Sequence, residues 1–155
     1  MSRKVQLTTL LLVALPMAAA DLWIKALAPT PWWAYHERSP WWAALCIVLL
    51  PALVAVTRIP APLSSAAAGL LTAGVLGNVG SALANDFHVP NPFIFYGDQA
   101  TIAFNLADVS AMLGIALLTG TLAVWLIRHR DELRTRETAM AFARTTWRDG
   151  DRRLP

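Results

Sequence analysis

Cysteine occurs once in this chain of 155 residues, at Cys46, so no internal disulfide and no cysteine metal site can form. In an apolar segment a lone thiol reads as packing. Charge is scarce as well: Asp, Glu, Lys and Arg supply 15% of the residues, against 56% for the hydrophobic types. A soluble domain of this length needs more polar surface to cover itself, so the composition points to an integral membrane protein. The usual nucleophile signatures are missing too, with no GxSxG and no Cys beside a His. His36 and His88 lie in loops without metal-ligand spacing, and His129 sits in a basic tail, so no metal and no other cofactor is expected.

Lys and Arg are absent from 85–101. Arg3 and Lys4 open the chain, eight arginines lie between Arg128 and Arg153, and only Lys25, Arg38 and Arg58 stand between these two groups. Basic residues confined to the ends read as cytoplasmic flanks of membrane helices, not as a nucleic-acid footprint, so no nucleic-acid partner is expected.

Four apolar segments approach the length that crosses a hydrocarbon core of roughly 30 Å. They run over 5–27, 41–57, 63–84 and 103–127. The expected fold class is therefore all-α: an integral membrane bundle of four transmembrane helices over 1–127, with both termini inside and short extracytoplasmic loops. "RHRDELRTR" anchors the last span on the inner side, and the tail over 128–155 reads as a basic cytoplasmic amphipathic helix. The loop "APTPWWAYHERSPWW" carries Trp32, Trp33, Tyr35, Trp41 and Trp42, rings suited to the headgroup boundary. The opening "MSRKVQLTTLLLVALPMAAAD" also has the order of a cleaved secretory signal. Against that, the apolar run continues past Asp21 through "LWIKALA", and removing it would leave three spans.

Carboxylates inside apolar spans are costly unless partnered or functional. On the four-span reading Asp21, Asp86 and Asp108, from three different helices, converge on the outer layer. Lys25 lies four residues after Asp21, the spacing of a helical ion pair. Asn105 is three residues before Asp108, and Asn78 and Ser81 share a face of a Gly- and Ala-rich stretch that lets another helix approach closely. Two carboxylates within a few Å cannot both ionise cheaply, so Asp86 and Asp108 would titrate as a unit. One ionised and one protonated Asp can activate a water and protonate a leaving group. A proton relay or ion pathway would leave the same traces in a sequence.

"AGVLGN" at 73–78, Asp86-Phe87, "FNLAD" at 104–108 and "ADLWIK" at 20–25 resemble the lipoprotein signal peptidases (signal peptidase II), four-helix aspartic proteases of bacterial membranes. The resemblance implies a hydrolase with Asp86 and Asp108 as catalytic dyad and with Asn78, Asn105, Asp21 and Lys25 in support. It implies a bacterial cytoplasmic (inner) membrane location and, as substrate, the signal peptide of a diacylglyceryl-modified prolipoprotein, held among membrane lipids. Where that family carries Asp-Arg after its Gly-Asn, this chain has Ser81 and Ala82. A non-catalytic homologue that binds precursors or a partner is the alternative of a different class, and a small proton or ion conductor is a third.

Overall fold

The first helix, α1 (Arg3–Leu27), begins where the Ser2 hydroxyl accepts the Val5 N–H, satisfying one of the amides a helix start leaves open. Its buried residues are Gln6, Leu10, Ala14, Ala18, Asp21 and Lys25. Spaced three or four apart, they form one narrow stripe, and the rest of the helix is largely bare apolar surface. A computed structural model of the chain describes residues 2–61, 63–131, 140, 141 and 144. Most of the tail expected over 128–155 lies outside these described residues.

Three further helices follow: α2 (Pro40–Val56), α3 (Ser64–Ala84) and α4 (Leu106–Arg128). The protein is mostly helical, and α1, α3 and α4 are long and apolar enough to cross a membrane. At 17 residues α2 is shorter, and Ala43 is its only buried residue. The helix ends differ from the expected spans chiefly at α4, because Ala103 and Phe104 belong to a strand and Asn105 is the helix cap.

Successive helices alternate in direction around α3. Gly69 of α3 lies against Leu10 of α1, and Gly77 lies against Asp21, so these two helices run parallel. Gly74 meets Ala107 and Ala111, while Gly114 meets Leu71, so α4 runs antiparallel to α3. α2 returns the chain between them, and its far end is pinned where the Arg3 guanidinium donates to Thr57 Oγ1 at 2.7 Å.

Small residues set these distances. A Cβ on Gly69 would sit 2.8 Å from the Leu10 carbonyl, and one on Gly74 would sit 2.8 Å from that of Ala107. Neither neighbour is a flexible side-chain tip that could move away, so backbone meets backbone here only because a hydrogen replaces a methyl.

Four short strands modify the all-α expectation: β1 (Tyr35–Glu37), β2 (His88–Pro90), β3 (Phe93–Tyr96) and β4 (Thr101–Phe104). β1 pairs antiparallel with β2, Tyr35 opposite Pro90 and Glu37 opposite His88. β3 and β4 form an antiparallel hairpin running from Phe93↔Phe104 to Tyr96↔Thr101. Prolines 29, 31, 90 and 92 keep these loops from becoming helix, and pairing then satisfies the extended backbone. All four strands sit at the end of the bundle where α1 and α3 finish and α2 and α4 begin.

Candidate functional site

The same end of the bundle holds a chain of buried polar side chains. Lys25 and Asp21 form an ion pair, Nζ to Oδ2, at 2.7 Å, with their side chains 3% and 1% exposed. The ammonium also donates to Asn78 Oδ1 at 2.8 Å, and the Asn78 amide donates to Asp108 Oδ1 at 2.9 Å. Thus α1, α3 and α4 are joined in sequence by four side chains, two of them carboxylates.

Both buried-end carboxylates also close the start of α4. The Asp108 N–H donates to Asn105 Oδ1 at 2.9 Å, and the Asn105 N–H donates to Asp108 Oδ2 at 3.2 Å, a reciprocal capping box. Asp21 Oδ1 accepts the Ala107 N–H at 2.8 Å. Two negative side chains therefore face the first turn of α4, where open N–H groups and the helix dipole favour them. Asp108 lies at the helix start itself and not a turn or more inside it, because the span begins at Leu106.

Asn91 extends the network. It accepts the Asn105 side-chain N–H on Oδ1, and its own amide lies 2.9 Å from His36 Nδ1, so the chain of contacts passes from α4 to β1. The Asn91 N–H donates to the Ala34 carbonyl at 3.1 Å, and the residue is fully buried. Nothing in composition marks Asn91 as special. Its setting between Pro90 and Pro92 is the one available signal: with neither proline able to donate, the Asn91 N–H is the sole backbone donor across these three positions.

Asp86 stands apart. It is exposed, and its carboxylate makes no hydrogen bond or ion pair among the described residues. Its backbone has φ 48° and that of Phe87 has φ 62°, both left-handed. The Phe87 N–H donates to the Ala82 carbonyl at 2.7 Å, the bond that closes a helix end through one left-handed residue just past the cap. Asp86 occupies that left-handed position, which Gly fills most readily and Asn or Asp tolerates. Its carbonyl lies 2.8 Å from His88 Nδ1, which steers the chain into β2.

The structure thus brings Asp21, Lys25, Asn78, Asn105 and Asp108 into one connected network and leaves Asp86 outside it, at the stop of α3. Ser81 is buried beneath that stop, its carbonyl accepting the Asn85 side chain at 2.8 Å. Chemically the network offers one partly exposed carboxylate, Asp108, flanked by amides that both donate and accept. Such an array suits recognition of peptide groups. No family model matches this chain, and no curated protein sequence matches it either.

Proposed function

We propose that this protein is a four-span protein of a bacterial cytoplasmic membrane, built on the plan of signal peptidase II, that binds lipid-modified precursor segments without cutting them. The amino and carboxyl ends lie inside, and the strand-bearing end faces outward. Membrane residence is supported by the three long apolar helices, and orientation by the basic residues at the chain ends. The observation that carries the binding reading is the bonding of Asp108. Its two oxygens accept from Asn78 and from the Asn105 backbone, and among the described residues no second carboxylate is hydrogen-bonded to it. Aspartic proteolysis needs an acid and a base on one water, whereas the groups around Asp108 are amides.

The test is incubation of the purified protein in lipid nanodiscs with a fluorescent, diacylglyceryl-modified precursor peptide, following anisotropy and product together. Binding without product is expected, weakened at least tenfold by Asp108→Ala and unchanged by Asp86→Asn. A peptide that binds wild type and Asp108→Ala equally would overturn the reading.

A second reading, the intramembrane aspartic endopeptidase, has its own supporting observation. Asp86 and Phe87 hold left-handed backbone that non-glycine residues rarely adopt, and such strain gathers at functional sites. An exposed and unbonded Asp86 carboxylate would then be the mobile member of the dyad. Product formation abolished by both Asp86→Asn and Asp108→Asn in the same incubation would establish it.

A further inference from the structure

The buried network leaves out the one arginine that the described residues place at this end of the bundle. Arg38 lies two residues before α2, its N–H donating to the Phe87 carbonyl at 2.8 Å, so its position is fixed against the stop of α3. Its guanidinium stacks over the Trp42 ring, 5.1 Å from the centroid. The side chain is partly buried, its Nε is shut off from solvent, and that atom has no hydrogen-bond partner. Among the described residues no carboxylate forms an ion pair with Arg38.

A buried N–H without a partner costs more than a hydrogen bond usually contributes, and a guanidinium cannot shed its proton to escape. An anion at the two terminal nitrogens, which unlike Nε are open to solvent, would neutralise the charge and offset that cost, and a tetrahedral phosphate fits their fork in bidentate fashion. The surroundings identify the source. Trp32 and Trp41, 86% and 84% exposed, flank Arg38 in sequence, with Trp33 also exposed, and such rings sit at the headgroup level of a bilayer. Below them α2 presents Leu45, Val48 and Leu49 outward, a surface for acyl chains that continues directly from Trp42.

We propose that Arg38, stacked on Trp42, holds the phosphate of a phospholipid of the outer leaflet, whose chains lie along α2. This rests on membrane residence and is independent of whether the Asp108 site binds or cuts a precursor. The test titrates the purified protein, in a phosphate-free detergent, with dioleoyl phosphatidylglycerol, and counts bound lipid by native mass spectrometry. One lipid is expected to bind wild type about tenfold more tightly than Arg38→Gln, the effect of one charge-assisted hydrogen-bonded contact. Arg38→Lys, which keeps the charge and loses the fork, should fall between them. Dioleoylglycerol, with the same chains and no phosphate, should show no preference for wild type. Millimolar inorganic phosphate should leave the lipid in place. Thermal unfolding of each variant establishes that it is folded. Equal lipid affinity in wild type and folded Arg38→Gln, a preference of dioleoylglycerol for wild type, or displacement by free phosphate would each overturn the proposal.

Discussion

At the scale of single residues, Asp21 and Lys25 are bound to each other and to the two neighbouring helices α3 and α4, so neither can be removed alone without stranding the other. Breaking a buried ion pair on one side costs about 3–5 kcal/mol, while replacing both partners with apolar groups of similar shape is far milder. Lys25→Met should therefore lower the unfolding temperature in detergent sharply, and Asp21→Asn together with Lys25→Met should recover part of the loss. A double variant as unstable as the sum of the two single ones would mean the charges do not act as a pair. Asp86 gives the opposite expectation. Its φ of 48° is one that Gly adopts freely, so Asp86→Gly should leave stability unchanged or raise it by up to about 1 kcal/mol. On the binding reading peptide affinity survives that change, and on the peptidase reading all turnover is lost, so one variant separates the two. The ion pair was legible in the sequence because four-residue spacing on a helix fixes a distance. A meeting of Asp86 and Asp108 was not, since a loop broken by Pro90 and Pro92 between distant elements fixes none. Even so, Asn85-Asp86 directly after an apolar run carries the mark of a helix stop, as these residue types tolerate left-handed backbone.

At the scale of elements, the contrast among glycines measures how closely α3 is held. A Cβ at Gly77 would lie 2.5 Å from Asp21 Oδ2 and 3.0 Å from the Ala107 Cβ, so Gly77→Ala pushes the carboxylate off Lys25 or separates α3 from α4. A Cβ at Gly80 would meet only Leu22 side-chain carbons at 3.6 Å and beyond, and one at Gly120 would meet nothing within 4 Å. Gly120→Ala should thus be neutral or stabilising through helix propensity alone, worth up to about 1 kcal/mol, while Gly77→Ala destabilises by more than that. Thermal melts of the two variants side by side check the order, and equal melting for Gly77→Ala and Gly120→Ala would contradict the packing described. The helices themselves were legible from apolar length, and the small-residue face of α3 from its composition. The strands were not, for three- and four-residue segments among prolines carry no period long enough to read, and their pairing depends on where the helices deliver them.

At the scale of the molecule, the question is whether α2 crosses the bilayer. Seventeen residues at about 1.5 Å each reach roughly 25 Å, short of a hydrocarbon core of roughly 30 Å. Against that stands the direction of the helices. α1 and α3 are parallel, with Leu10 beside Gly69 and Asp21 beside Gly77, so the chain must travel back along the whole bundle between them. α2 makes that return from Arg38, bonded to Phe87 at one end, to Thr57, bonded to Arg3 at the other. On the proposed four-span arrangement a full return means an even number of crossings, with the Trp-rich start of α2 in the headgroup layer and a modest local thinning of the bilayer making up the length. The parity is measurable. In a Cys46→Ser background, single cysteines are placed by Lys4→Cys, Asp98→Cys and Asp131→Cys, and cells are treated with a membrane-impermeant maleimide. With four crossings, Asp98→Cys is labelled in intact cells, and Lys4→Cys and Asp131→Cys are labelled only after permeabilisation. Were α2 to stay on one side, Lys4→Cys and Asp131→Cys would lie on opposite faces and only one of them would need permeabilisation. That outcome would remove the parallel arrangement of α1 and α3, and with it the meeting of Lys25, Asn78 and Asp108 on which the site depends.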